Sequence, residues 1–253
     1  MTIYLYCLTD PVSEPAAGLR GLGGELVRAV PVGHASAWVS DLGAGLGSAT
    51  EEMVRAHDSV VRAALSIETP LPARFGQTFA GDQALRRALE ARADGIARAL
   101  DRVRGGVEMT VRVLLPEVGS EDVSRNFTVS ALEGDEAEVG GAATRAAAGA
   151  PEGAGRAYMA RLRDKRRAAA AIKKRAEFLQ ARVANAVDGV VREEVYSTPS
   201  PAAHSFSVSH LVAREAIGQY RLRVDSLVRG DPILRLLVSG PWAPYSFARI
   251  ADG

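Results

Sequence analysis

The sequence predicts an α+β protein of two domains, on three observations. Short β-branched and aromatic runs at residues 3–8, 25–32 and 35–42 open the chain, ahead of two stretches with helical apolar spacing. The pair Gly105-Gly106 reads as a boundary. After it the elements follow in the order strand, long helix, strand, strand, helix, strand. That βαββαβ order is the ferredoxin-like split-βαβ pattern. We therefore expect a smaller mixed α+β domain over residues 1–105. A ferredoxin-like domain with a long first helix is expected over residues 106–253. Two helices cover one face of the second sheet, and the other face is free to pack on something else.

Each element has its local reason. Residues 3–8 form a continuous apolar strand stopped by Asp10-Pro11. Pro31 and Gly33 suggest a tight connection between the next two strands. Residues 41–47 are a glycine-rich loop, after which Ser48 and Glu51 form a plausible capping box. The helix that follows places Met53, Val54, His57, Val60, Val61, Ala64 and Leu65 on one face. Residues 69–72 end it, residues 74–80 read as a strand or extended segment, and Asp82 can cap a second helix running to about Arg104.

In the second half, residues 107–115 alternate as a strand, with Val107, Met109, Val111 and Val113 on one face and Glu108, Thr110 and Arg112 on the other. Residues 116–154 turn acidic and then rich in Gly and Ala. Most of them read as a long mobile insertion, with a short strand possible at 126–131. From near Glu152 an apolar stripe runs through Tyr158, Leu162, Ala169, Ile172, Ala176, Leu179, Val183, Ala186 and Val190, interrupted at Lys165. Strands at 190–196 and 206–212, a helix at 213–228 and a strand at 233–238 complete the order.

Composition narrows the function. Of 253 residues, 47% are hydrophobic and 24% charged, and the net charge of +1 gives no general basis for binding nucleic acid or a membrane surface. The single cysteine, Cys7, excludes an internal disulfide framework and a cysteine-rich zinc site, and fits a reducing cytoplasm. The first residues lack the basic flank of a signal peptide, and no apolar run approaches the roughly 20 residues that span a bilayer.

Catalytic candidates are weak. The loop Gly43-Ala44-Gly45-Leu46-Gly47 matches neither the dinucleotide fingerprint nor a P-loop, so a connecting loop is the better reading. His57 lies on an apolar helix face and reads as a core histidine. His204 and His210 can share a strand face but lack a third ligand. No G-x-S-x-G elbow occurs, and Cys7 sits in a buried strand. We expect no catalytic, cofactor-binding or metal-binding residues, and no enzyme.

Two surfaces suit a partner. The helix over residues 156–175 carries Arg161, Arg163, Arg166, Arg167, Lys173, Lys174 and Arg175. A solvated face is the plain reading, and an acidic protein partner is the second. An RNA-binding ferredoxin-like protein is the alternative of another class, although the basic-glycine-aromatic strand signature is missing. The segment from Gly240 to Phe247 is either a cap that buries Trp242 and Phe247 or an aromatic anchor for a partner, and the two roles are compatible.

Three segments together resemble the GvpF/GvpL family of gas vesicle proteins. They are Leu71-Pro72-Ala73-Arg74-Phe75-Gly76-Gln77-Thr78-Phe79, similar to "P-x-R-F-G"; Gly155-Arg156-Ala157-Tyr158-Met159, similar to "G-x-x-Y-L"; and Gly240-Pro241-Trp242-Ala243-Pro244-Tyr245-Ser246-Phe247, similar to "G-P-W-P-P-Y-S-F". Ala243 replaces a common proline, Met159 a leucine, and Cys7 stands where glycine is frequent. The resemblance implies a non-enzymatic accessory protein or minor component of gas vesicles, assembled in the cytoplasm. It implies contact with the hydrophobic shell protein GvpA, and leaves other accessory proteins as open candidates for partners. The residues placed at such a contact are Arg74, Phe75, Phe79, Arg166, Lys173, Trp242, Tyr245 and Phe247.

Overall fold

The computed structural model describes residues 2–43, 45–114, 154–197, 205–231 and 234–250. The insertion expected at about 116–154 (Ala154 apart), the short strand at 126–131 and His204 lie outside them.

Strand β1 (Thr2–Thr9) is the centre of the first sheet, and every residue from Ile3 to Thr9 is buried. β2 (Arg28–Val32), β3 (Ala35–Leu42), β1 and β4 (Leu71–Pro72) follow in that order, and β5 (Thr78–Phe79) also pairs with β1. All these pairings are antiparallel. Gly33 takes a φ of +57° in the β2–β3 hairpin, a conformation that costs glycine little.

Successive side chains of β1 point to opposite faces, and both faces are covered. Tyr4 and Tyr6 pack in one cluster with Val60, Val61, Ala64 and Leu65 of α1 (Glu51–Ile67). Ile3, Leu5 and Leu8 pack in another with Leu85 and Leu89 of α2 (Asp82–Glu90) and Ile96, Leu100 and Val103 of α3 (Ala93–Val103). A register shift between Leu5 and Cys7 places Tyr6 and Cys7 in the same cluster.

Two local expectations are corrected. The cap of α1 is Thr50, whose hydroxyl accepts from the Met53 N–H at 3.2 Å, and not Ser48. This start puts Glu51 and Glu52 in the first turn, where the helix dipole favours them. The single helix expected over 82–104 is two, broken at Ala91 and Arg92, with Gly81 rather than Asp82 at the N-cap. Leu89 and Ile96 stay in phase across the break, so periodicity alone does not reveal it.

The second half contains β6 (Gly106–Leu114), α4 (Ala154–Val187), β7 (Val191–Tyr196), β8 (Ser205–Ala213), α5 (Ile217–Arg229) and β9 (Arg235–Trp242). The sheet is antiparallel in the order β7-β8-β6-β9. Met109, Val111, Val113, Phe206 and Val208 meet Leu179 and Val183 of α4 and Tyr220 and Val224 of α5, so one face is helix-covered. On the opposite face Leu211 joins Leu8, Leu71, Val103 and Phe247. β9 continues to Trp242, past the expected end at residue 238 and through Gly240-Pro241.

α4 packs along its second half only. Ala176, Leu179, Val183 and Val187 are buried, whereas Tyr158, at the start of the predicted stripe, is 65% exposed. At the junction of the halves, the Thr69 hydroxyl donates to the Gly106 carbonyl at 2.8 Å. The Arg214 guanidinium donates to the carbonyls of Leu65 (2.6 Å) and Glu68 (2.9 Å), satisfying the C-terminal end of α1 from the other sheet.

Candidate partner-binding site

The residues after β9 turn back across the molecule because a buried carboxylate holds them. Glu108 points away from α4 and α5, and its side chain accepts from the Ser246 N–H (2.8 Å) and hydroxyl (2.7 Å). Gly240, with a φ of +112°, lets the chain pass close by. A Cβ there would lie 2.7 Å from the Glu108 carbonyl oxygen. Ala243 and Phe247 are buried, and Arg102 of α3 donates to the Phe247 carbonyl. Trp242 is half-buried, with the Arg62 guanidinium of α1 4.7 Å from its ring centroid. Tyr245 remains 40% exposed. The segment thus caps the core through Phe247 and leaves Tyr245 at the surface.

The Arg74–Phe79 segment is fixed from beneath. The Tyr4 hydroxyl accepts from the Gly76 N–H at 3.1 Å and lies in hydrogen-bond contact with His57 Nδ1 at 2.9 Å. Phe75 packs edge-on against Tyr4 and His57, with centroids 6.1 and 5.9 Å apart. Tyr245 reaches the same group, 6.5 Å from His57.

Burial lowers the His57 pKa, opposed by the Ala73 carbonyl, and raises that of Tyr4 to about 12. Burial pushes the Tyr245 hydroxyl up as well, with the Asp58 carboxylate adding to it. His57 is therefore a neutral core residue near neutral pH.

Beside this aromatic group lies a groove of about 880 Å³. Its floor is apolar, from Leu5, Leu8, Leu71, Leu89 and Ile250, and its polar lining includes Arg74, Gln77, Arg92, Ser246 and Arg249. Phe79 and Tyr245 line it too, whereas Phe75 turns into the aromatic group. Arg74 is exposed and forms no ion pair among the described residues.

The remaining candidates are elsewhere. Arg166 is exposed on the unpacked first half of α4, and Lys173 is exposed on the second half, where it approaches Glu177 at 3.9 Å. His210 is buried, 2.7 Å from the Tyr220 hydroxyl, and burial lowers its pKa to about 4. Cys7 is buried and its thiol is pushed up by burial. Among the described residues, no three His, Cys, Asp or Glu side chains gather as a metal site. No described helix is long and apolar enough to cross a membrane.

Three positions that shape this region escaped the sequence reading. Glu108 stood on the outward face of an alternating strand, and only its company of Thr110 and Arg112 hinted at a polar surface. Arg62 and Arg249 carry no local signal. Their roles come from Trp242 and from the groove.

Comparison with known proteins places this architecture. The family model described as gas vesicle synthesis protein GvpL/GvpF matches residues 2–249. Gas vesicle protein L of a Streptomyces species is 30% identical over 269 residues, covering 98% of this chain and 93% of that protein. Gas vesicle protein F1 of Halobacterium salinarum is 31% identical over 112 residues, covering 42% of this chain and 53% of its own. The crystal structure of GvpF from Anabaena superposes with a TM-score of 0.74 at 19% identity, covering 99% of both chains. That of GvpF from Microcystis aeruginosa gives 0.71 at 14%, covering 98% of this chain and 99% of the other. With one model matching nearly every residue and a full-length relative at this identity, the chain belongs to the GvpL/GvpF family of gas vesicle proteins.

Proposed function

We propose that this protein is a non-enzymatic assembly factor or minor structural component of gas vesicles. In this role it binds the shell protein GvpA and keeps it from aggregating during vesicle nucleation. One observation carries the reading. The Arg74–Phe79 segment and the Tyr245–Ser246 segment, far apart in the chain, line the same groove. Both belong to stretches that resemble the family. An unassembled hydrophobic shell subunit exposes apolar surface that aggregates unless covered, and a concave apolar floor covers it.

In this reading residues 1–105 and 106–253 are two domains, the second ferredoxin-like. The sheet face away from α4 and α5 packs on the first half and lends Val195 to the groove. The protein works in the cytoplasm on forming vesicles, with other accessory proteins as further partners through the basic half of α4.

The test is co-purification with GvpA from cells that express both. Wild type is expected to hold GvpA in the soluble fraction, and Phe79→Ala with Tyr245→Ala to lose it while remaining folded. Absence of captured GvpA at any salt, with the protein folded, overturns the reading. Loss of capture on Arg166→Glu with Lys173→Glu alone moves the contact to α4.

A further inference from the structure

We propose that the N-terminal stretch of α4 is one half of a coiled coil, whose other half is an acidic amphipathic helix of a partner protein. This rests on the reading that the basic stretch of α4 meets a further protein, and names the chemistry of that protein.

Length and spacing carry the first part. α4 has 34 residues and is about 50 Å long. The longest strands beneath it, β6 and β8, have 9 residues each and span about 30 Å. The helix therefore exceeds its sheet by roughly 20 Å. From Tyr158 to Val183 its apolar line steps by four and three residues in strict alternation, and only Lys165 breaks its character. That is the seven-residue repeat of a coiled-coil seam. Ala176, Leu179 and Val183 bury one end of the seam against the sheet. At the other end Tyr158 is 65% exposed, Ala169 is exposed and Leu162 is half-buried. One seam thus serves two surfaces, and the sheet supplies the first of them.

The charge beside the seam identifies the second. Paired helices choose each other through the positions that border the seam. Between residues 158 and 176 the borders hold Arg161, Arg166, Lys173 and Arg175, with the uncharged Met159 and Ala168. All four basic side chains are exposed. A second copy of this helix would set cation against cation, whether parallel or antiparallel. A helix with an aliphatic seam and glutamates at its borders meets both the apolar line and the cations. Lys173 also approaches Glu177 at 3.9 Å, but an exposed pair of this kind contributes little and gives way to a better-placed carboxylate. A simple polyanion would use the cations and leave Tyr158, Met159 and Leu162 in water.

The experiment uses the full chain and labelled peptides about three heptads long, with fluorescence anisotropy as readout. One peptide has Leu in the seam and Glu at the borders, the second Leu and Lys, the third Ser and Glu. The Leu/Glu peptide is expected to bind about tenfold or more tightly than either of the others. Tyr158→Ser with Leu162→Ser should lower that affinity by about tenfold. Arg161→Glu, Arg166→Glu, Lys173→Glu and Arg175→Glu together should turn the preference toward Leu/Lys, whereas lysine at the three arginine positions keeps it. None of these side chains is fully buried, and an unchanged urea midpoint verifies folding. Equal binding of the Leu/Glu and Leu/Lys peptides overturns the proposal. So does a Ser/Glu peptide that binds as tightly as Leu/Glu, which marks a polyanion site, or a dimer in sedimentation that the seam variant dissociates. Phe79→Ala with Tyr245→Ala should leave peptide binding unchanged, and its loss would place the peptide in the groove and refute the coiled coil. Co-purification of another accessory protein that Arg166→Glu with Lys173→Glu abolishes, beside indifference to the Leu/Glu peptide, keeps α4 as a contact and rejects the coiled coil alone.

Discussion

Replacing Ser246 by Ala tests how the C-terminal segment is held. The Glu108 carboxylate is 6% exposed and accepts twice from Ser246, at 2.8 Å from the N–H and 2.7 Å from the hydroxyl. The substitution deletes the hydroxyl bond and leaves the backbone bond. A hydrogen bond to a charged group contributes about 1.5–3 kcal/mol, so Ser246→Ala should destabilise by that amount. The hydroxyl also lies 3.1 Å from the Ser209 hydroxyl, which loses a neighbour and pushes the result toward the upper end. Glu108→Leu removes both acceptors but also abolishes the desolvation cost of the carboxylate, so its effect should fall short of twice the first. Urea unfolding followed by tryptophan fluorescence measures both variants. Trp38 reports the core, and Trp242 in a Trp38→Phe background reports the segment itself. A midpoint for Ser246→Ala within about 0.5 kcal/mol of wild type at equal m-value would mean that the carboxylate is not the anchor.

Gly240→Ala should cost more than about 1 kcal/mol, because the backbone is left-handed there and the new Cβ would crowd the Glu108 carbonyl at 2.7 Å and Met109 Sδ at 3.0 Å. A urea midpoint equal to wild type refutes it. Arg62→Ala should cost about 0.5–1 kcal/mol through loss of the contact with Trp242 and should shift that residue's emission, whereas an unchanged spectrum contradicts the stacking. Stability should also fall with acid. His210 is neutral in the fold, its pKa lowered by burial to about 4 from an ordinary 6.5, so the unfolded chain binds the proton first. Its contribution is complete above pH 6.5 and is lost as pH falls to about 4, roughly 3 kcal/mol in all. Glu194, 3.9 Å from Nε2, is beyond hydrogen-bond reach and partly exposed, so it does not offset this. Urea titrations of wild type and His210→Gln across that range should differ in slope, and parallel curves would remove His210 as the cause.

The regular elements were readable where burial imposes a period. β1 is apolar at nearly every position because both of its faces are covered, and β6 alternates because α4 and α5 cover only one. α4 was visible from its stripe, but the stripe does not say how much of it is packed, and Tyr158 shows that its first turns are not. β4 and β5 are two residues each and lie on the edge that β1 offers them; β5 falls within the extended stretch read at 74–80, whereas β4 falls in the proline-containing stretch read as the end of α1. The site divides in the same way. Arg74, Phe79 and Tyr245 were singled out through family-like segments, and they meet in one groove. Glu108 and Arg249 act through partners more than a hundred positions away, and distance of that kind leaves no trace in spacing.

Phe247 sets a schedule for the nascent chain. Its side chain belongs to the cluster built on Ile3, Leu5 and Leu8, and its carbonyl takes the Arg102 hydrogen bond across 145 positions. At ribosomal speeds of about 5–20 residues per second, that first strand waits roughly 12 to 48 seconds for its last side chain. During that interval the emerging half carries an unfinished apolar surface and depends on whatever shields it. A protein proposed to shelter a sticky subunit is thus, while being made, in need of the same service.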